Sequence, residues 1–204
     1  MRHLLRQFPR LPVLVAVTLL AACGGGPPLP SATALNESYE IALDLTAQRA
    51  GRFGAGSVRE REMLERLADY FSGMTPDSVA RGTVLVYADN AYLNDNITFV
   101  EGAEAIADYF GVAAAQVDSL TVDFLDIARA GGDYYIRWRM TIATERLNDG
   151  EPMVSYGVSH FRFDPEGRVL IHKDFWDAGT GIYEYLPGVG GLVNALRGRL
   201  AHQG

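Results

Sequence analysis

The sequence predicts an α+β fold in which a curved antiparallel sheet packs against helices that precede most of it in the chain. Two observations support this class. Segments with apolar residues at helical spacing occupy the first half of the folded region, and long segments of alternating apolar and polar residues follow them. Helices followed by antiparallel strands are the order expected of an α+β domain.

Four helices are predicted. The first, NESYEIALDLTAQRAGRF, has Ile41, Ala42 and Leu45 at helical spacing, with Asn36 and Ser38 available to cap its start. The second, VREREMLERLADYFSGM, separates apolar residues from charges, as an amphipathic helix does. TPDSVARGTVLVYA predicts a capped third helix, and EGAEAIADYFGVAAA a fourth after a short strand or turn.

The strands come from SLTVDFLDIARAGGDYYIRWRMTIATERL and MVSYGVSHFRFDPEGRVLIHKDFWD. In the first segment Ile136, Trp138 and Met140 alternate with Arg137 and Arg139, which is typical of a half-buried antiparallel strand. The letters DPEG predict a hairpin turn between the last two strands.

The N-terminus predicts a lipid-anchored protein of the bacterial cell envelope. A basic start, ten apolar residues and LAAC at positions 20–23 resemble a bacterial lipoprotein signal, residues 1–22, with Cys23 as the lipidated residue. The alternative is an ordinary buried cysteine after a membrane anchor. Residues 23–34, rich in Gly, Pro and Ser, predict a flexible tether, and residues 35–204 a single domain. Gly24, in place of aspartate, favours the outer membrane, with the domain facing the periplasm.

Composition excludes several classes of function. The net charge of −7 becomes −10 without the three arginines of the predicted signal, which contains no acidic residue. An acidic chain without a basic stripe is a poor nucleic-acid binder. No close histidine pair or cysteine partner predicts a metal site, and no Gly-rich phosphate loop or Gly-x-Ser-x-Gly elbow is present, so we expect no cofactor.

The stretch VLIHKDFWD, residues 169–177, contains the strongest candidates for a functional site. Strand alternation places His172, Asp174 and Trp176 on one face and Ile171 and Phe175 on the other. Because both faces contain large apolar residues, alternation alone does not decide which face points to the core.

Residues 60–186 resemble the nuclear transport factor 2-like superfamily, in its SnoaL-like and ketosteroid-isomerase-like branch. The resemblance rests on YADNAYLND, VEGAEAIADYF and GVSHFRFDPEGRVLIHKDFWD. It implies a cystatin-like α+β cone, built from three helices and a bent sheet, around an apolar pocket. Because this scaffold supports isomerases, dehydratases, hydrolases, cyclases and binding proteins, the fold alone does not predict an activity.

In ketosteroid isomerase a carboxylate base works with a tyrosine and a protonated aspartic acid. The resemblance places the base at Asp95 and the tyrosine at Tyr70, but Ser159 occupies the position of the acid. Asn96 follows Asp95 where many relatives have proline. A serine can donate a hydrogen bond but lacks the acidity of the isomerase donor, so steroid isomerase activity is not expected.

The resemblance also turns the His172 face toward the pocket. It implies that the candidate catalytic residues Asp95, His172 and Asp174 meet the ligand-binding candidates Tyr70, Trp138, Ser159 and Trp176. Two hypotheses follow: the cone binds a small apolar molecule, or its acid-base groups catalyse an isomerase, dehydratase or hydrolase reaction. A third is an interaction module with a filled cone. Equally open are a structural His172–Asp174 pair and an ordinary turn role for Asp95.

Two surfaces could meet partners. The resemblance implies a homodimer through the open face of the sheet, for which Arg137, Arg139 and His160 are candidate contacts. The C-terminal segment GIYEYLPGVGGLVNALRGRLAHQG is apolar enough to close the mouth of the cone, to cover the sheet or to touch the membrane, and we expect these in that order.

Overall fold

The computed structural model describes residues 28–201, so the predicted signal and Cys23 lie outside the described residues. The helices are α1 (Ala32–Thr46), α2 (Val58–Phe71), α3 (Pro76–Val86), α4 (Ala103–Ala115), α5 (Ala178–Gly181) and α6 (Val189–Ala201). The strands are β1 (Tyr87–Asn94), β2 (Phe99–Glu101), β3 (Ser119–Ala130), β4 (Asp133–Ala143), β5 (Met153–Phe163) and β6 (Val169–Trp176). Within residues 28–201, every helix is too short or too polar to cross a membrane.

One six-stranded sheet, in the order β2-β1-β6-β5-β4-β3, confirms the predicted α+β class. Four of its five strand pairs are antiparallel, whereas β1 and β6 run parallel. Alternation within a strand cannot reveal this pairing, because it depends on which strands become neighbours. The predicted hairpin is present: the backbone of Asp164 donates to Arg168 over 2.8 Å, and Gly167 has a φ of 80°.

Side-chain caps explain where the first three helices begin. Ser57 caps α2, and Thr75 and Ser78 form a reciprocal capping box on α3. Ser31 caps α1 by accepting from the backbone of Ala34. The first helix therefore begins at Ala32, within the segment predicted as tether, and Asn36 and Ser38 lie inside it rather than at its start.

Helices α2, α3 and α4 cover the concave face of the sheet. Their apolar residues join the strands in the main core, whose fully buried members include Met63, Leu67, Ile106, Ile136, Phe161 and Phe163. Half-buried apolar residues on α4 and β3, among them Phe110, Val122 and Phe124, pack at its edge. The cone is therefore apolar at its base and partly open along these two elements.

Helix α1 lies on the opposite, outer face of the sheet. Its residues Tyr39, Ala42 and Leu43 pack against Tyr92 and Ile171. Of the three apolar residues whose spacing predicts this helix, Ala42 is buried, whereas Ile41 and Leu45 are 57% and 69% exposed. The helix offers two apolar stripes, and the one that includes the Tyr39 ring is buried.

A polar cluster fixes α1 to the strands. Arg162 donates two hydrogen bonds to Asp133, at 2.7 and 3.0 Å, and two more to the Leu43 carbonyl and the Thr46 hydroxyl of α1. His160 contacts the Tyr39 hydroxyl at 2.8 Å, and its Nε2 lies 3.1 Å from Asp133. His160 is therefore on the outer face, as expected, but α1 covers it completely, so it cannot be an exposed subunit contact.

Candidate functional site

The His172 face of β6 points into the cone. The His172 ring stacks on Phe161 with 4.4 Å between ring centroids, and it forms a T-shaped contact with Phe71 at a centroid distance of 5.6 Å. Ile171, one residue earlier, packs against α1 on the outer face. Packing of the helices thus decides what strand alternation leaves open.

A chain of hydrogen bonds joins five side chains on this face. The Tyr87 hydroxyl lies 2.8 Å from Nδ1 of His172, and Nε2 of His172 lies 2.9 Å from Oδ1 of Asp174. Ser159 donates to the same Oδ1, and the Trp138 indole donates to Ser159 over 2.8 Å. Four of the predicted site residues therefore meet in one network.

The network determines that Nε2 of His172 carries a hydrogen. Burial alone would raise the pKa of Asp174, but its contacts with His172 and Ser159 lower that pKa below the usual range. Asp174 is therefore ionised at neutral pH and can only accept, so Nε2 of His172 carries a hydrogen. Burial raises the pKa of Tyr87 well above its usual value, so its hydroxyl stays protonated beside Nδ1 of His172.

The two oxygens of Asp174 differ in their surroundings. Both hydrogen bonds from His172 and Ser159 reach Oδ1, and no other residue in 28–201 donates to Oδ2. The Asp174 side chain is 16% exposed, compared with 4% for His172. The cone thus contains an oriented carboxylate with one oxygen available to a bound molecule.

Gly157 explains how Trp138 reaches this network. A Cβ on Gly157 would overlap the six-membered ring of Trp138, because the indole lies directly across that position of β5. The missing side chain lets the indole lie flat and direct its N–H to Ser159. A glycine inside a strand is therefore part of the site.

Asp95 lies near the network but serves the turn between β1 and β2. Its Oδ1 accepts from the backbone of Ile97 and Thr98, each at 2.9 Å, and its Oδ2 accepts from the Tyr109 hydroxyl. Both carboxylate oxygens thus have protein donors. Trp176 donates its indole N–H to the Asp95 carbonyl over 2.9 Å, which connects the end of β6 to this turn.

Tyr109 lies close to both carboxylates. Burial is the main reason that its pKa is far above the usual value, and the charges of Asp95 and Asp174 raise it further. Tyr109 therefore remains protonated at neutral pH. Its hydroxyl donates to the Asp95 carboxylate at the turn between β1 and β2.

Tyr70 lies outside the network. Its hydroxyl donates to Thr83 over 2.8 Å, because the Thr83 hydroxyl itself donates to the carbonyl of Val79. Tyr70 also lines a groove of about 220 Å³ between α2 and α3, whose other lining residues are Arg66, Asp69, Gly73, Ser78, Gly82, Leu85 and Val86. This groove contains neither Asp95 nor Asp174.

Tyr87 and Tyr109 are the site residues that the sequence did not identify. Tyr87 opens the YADNAYLND motif, but only the parallel pairing of β1 with β6 places it beside His172. Tyr109 lies within VEGAEAIADYF, where an aromatic residue of an amphipathic helix is read as core. Within residues 28–201, no three His, Cys, Asp or Glu side chains are arranged to hold a metal ion.

Comparison with known proteins agrees with this fold. The model of the SnoaL-like domain family matches residues 64–172. No curated protein matches the chain. A ketosteroid isomerase-like protein from Catenulispora acidiphila, solved with trimethylamine, is 15% identical over 59% of this chain and 89% of its own, with a TM-score of 0.51.

Two further solved structures are similar. Bal32a, from a soil-derived mobile gene cassette, is 16% identical over 63% of this chain and 96% of its own, with a TM-score of 0.51. An NTF2-like protein of unknown function from Burkholderia pseudomallei is 9% identical over 62% of this chain and 99% of its own, with a TM-score of 0.50. At these identities the structures show the fold alone. Since the family model covers more than half of the sequence, the chain belongs to the SnoaL-like domain family within the nuclear transport factor 2-like superfamily.

Proposed function

We propose that the cone binds a small, largely apolar molecule that directs one hydrogen-bond donor at Oδ2 of Asp174. The observation that carries this proposal is the asymmetry of that carboxylate. His172 and Ser159 hold Oδ1, whereas Oδ2 has no donor among residues 28–201 and the side chain is partly exposed. A partly exposed carboxylate oxygen that has no protein donor can accept a charge-assisted hydrogen bond from a bound molecule.

The surroundings support an apolar ligand. Phe110 on α4 and Val122 and Phe124 on β3 are half-buried residues at the edge of the core. A molecule seated between these elements would remove their apolar surface from water, which contributes about 25 cal/mol per Å². Most of the binding free energy would then come from apolar contact, and Asp174 would determine orientation.

Acid-base catalysis at the same carboxylate is the second candidate, and the Tyr87–His172–Asp174 chain favours it. That chain holds the carboxylate in one orientation and places the His172 imidazole directly behind it. Asp174, rather than Asp95, is then the base, because both oxygens of Asp95 already accept from the protein. The lowered pKa of Asp174 makes it a weak base, which is why binding is the first proposal.

Binding can be tested with N-phenyl-1-naphthylamine, a neutral apolar fluorophore with one N–H donor. The chain without its predicted signal and without Cys23, residues 24–204, should bind it saturably. Asp174→Asn should bind at least about tenfold more weakly, because a charge-assisted hydrogen bond contributes roughly 1.5–3 kcal/mol. Asp126→Asn is the matched control, since that carboxylate is exposed on the outer face and should not affect the affinity.

The outcomes separate the alternatives. Absence of saturable binding, or equal affinity in wild type and Asp174→Asn, would contradict the proposed site. Catalysis predicts a further difference: wild type would convert a bound natural molecule to a product of different mass or connectivity, whereas Asp174→Asn would hold it unchanged. Mass spectrometry and chromatography of the released molecule would show which occurs.

We also propose that the chain is anchored through lipid on Cys23 in the bacterial outer membrane, facing the periplasm. The basic start, the short apolar run and LAAC support this location. When cells that express the full chain are grown with an alkyne-modified fatty acid, the wild-type protein should become labelled and Cys23→Ser should not. Equal labelling of both proteins would contradict lipidation at Cys23.

A further inference from the structure

Helix α6 has an apolar stripe that the described fold does not cover. Leu192, Leu196 and Leu200 are 61%, 51% and 77% exposed. Their spacing of four residues places them within one arc of about 80° on the helix surface. They therefore neither close the cone nor cover the sheet, which were the first two expectations for this segment.

The attachment of α6 explains why the stripe stays exposed. Gly190 is buried against the Glu184 backbone, where a Cβ would clash with the Glu184 carbonyl. Arg197 forms an ion pair with Glu184 at 3.2 Å. The helix is thus held on the turn at Tyr183–Tyr185 through its small and polar side, and the leucines face away.

Charge identifies the kind of surface that fits the stripe. Residues 186–201 include Arg197 and Arg199 and no acidic residue, although the chain without its predicted signal has a net charge of −10. At about 100° per residue, Arg199 lies about 20° from the leucine arc, whereas Arg197 lies on the side of Gly190, where it pairs with Glu184. Leucines beside an exposed arginine fit a helix that lies in the interface of an anionic bilayer.

The predicted anchor would keep the domain near a membrane. Nine residues separate Cys23 from Ala32 if Cys23 is counted, so the tether spans at most about 30 Å. A domain of this size has a radius of gyration of about 16 Å and hence a diameter near 40 Å. Because the tether is shorter than the domain, some face of the domain always lies close to the bilayer.

We propose that α6 lies on the surface of an anionic lipid bilayer, with its leucine stripe among the acyl chains and Arg199 at the headgroups. The tether argument rests on the proposed lipidation of Cys23, whereas the stripe and its charge do not. The test therefore uses the unlipidated chain, residues 24–204, so that binding by α6 is measured without the anchor and without the cone ligand.

Sedimentation with vesicles of phosphatidylethanolamine and phosphatidylglycerol measures this binding. Wild type should sediment with the vesicles. Leu192→Glu with Leu196→Glu should bind at least about tenfold more weakly, because two leucines no longer enter the bilayer. Arg199→Gln should bind about fivefold more weakly, which corresponds to about 1 kcal/mol.

The matched control is Ile41→Glu with Leu45→Glu on α1, which has the same spacing and similar exposure. It should bind vesicles as wild type does. The proposal fails if wild type does not sediment, if the two glutamate pairs have equal effects, or if the α6 pair changes only the protein mass in solution. The last result would show that the stripe binds a second copy of the chain. Circular dichroism of each variant would show whether its helices are retained.

Discussion

At the scale of single residues, orientation distinguishes the two aspartates of the site. The Asp95 carboxylate accepts three hydrogen bonds from the protein and holds a turn, whereas the Asp174 carboxylate accepts two on one oxygen and none on the other from residues 28–201. The sequence could not separate them, because both are aspartates near a strand end. Their different donors are the reason that we propose Asp174 as the acceptor for a ligand.

Tyr87→Phe should alter His172 specifically. Loss of the Tyr87 hydroxyl leaves Nδ1 of a buried ring without its hydrogen-bond partner and should lower the free energy of unfolding by about 1–3 kcal/mol. Nitrogen-15 chemical shifts of His172 should show a hydrogen on Nε2 in wild type and a changed Nδ1 signal in the variant. Tyr70→Phe, which breaks a bond to Thr83 instead, should leave the His172 signals unchanged.

Asp174 should also make stability depend on pH in the acid range. Its folded-state pKa lies below the value of 3.8 expected when unfolded, so the unfolded state binds more protons as pH falls. The stabilisation is fully present above about pH 5 and is lost as pH falls through the folded pKa. In urea unfolding, the difference in unfolding free energy between wild type and Asp174→Asn should be largest near pH 7 and should shrink toward pH 3. A difference that does not change with pH would contradict the lowered pKa.

At the scale of elements, α1 shows what a helical pattern can and cannot predict. The spacing of its apolar residues predicts that the helix exists. Its orientation depends instead on a polar cluster from β4, β5 and α1, in which Arg162 on β5 joins Asp133 on β4 to the end of the helix. Ile41 and Leu45 are the more apolar pair, yet Tyr39 and Ala42 are the residues that pack. Tertiary contacts therefore select between two stripes that the sequence offers.

Arg162→Leu should loosen α1 from the sheet. It removes the donors to Leu43 and Thr46 and leaves Asp133, 21% exposed, without its guanidinium partner, so we expect a loss of roughly 2–4 kcal/mol in unfolding free energy. Arg137→Leu breaks an exposed pair with Asp126 and should cost less than about 1 kcal/mol. Hydrogen exchange should be faster in α1 for the first variant only. Equal exchange in both would show that the cluster does not hold the helix.

At the scale of the whole molecule, pattern and resemblance together predict the class, the helices, the hairpin and the face of His172 that lines the cone. They do not predict the parallel β1–β6 pair, and therefore miss Tyr87, whose position depends on that pairing. Nor do they predict which aromatic residues fill the base of the cone and which donate hydrogen bonds. Such features arise from side-chain packing between elements distant in sequence.

The outer face beyond α1 is the surface on which we propose that two copies meet. Val154, Tyr156 and Phe175 are 44%, 59% and 46% exposed there, beside the ion pairs of Arg137 and Arg139. Light scattering after gel filtration should give the mass of a dimer for residues 24–204 and of a monomer for Tyr156→Glu with Phe175→Glu. A monomeric wild type would contradict a homodimer.

Native mass spectrometry of the protein isolated from its own membrane fraction tests the central claim most directly. The account predicts that wild type carries one apolar molecule of defined mass per chain and that Asp174→Asn, prepared identically and folded, carries far less of it. An empty wild type, or equal occupancy in the two proteins, would contradict a ligand held at the free oxygen of Asp174.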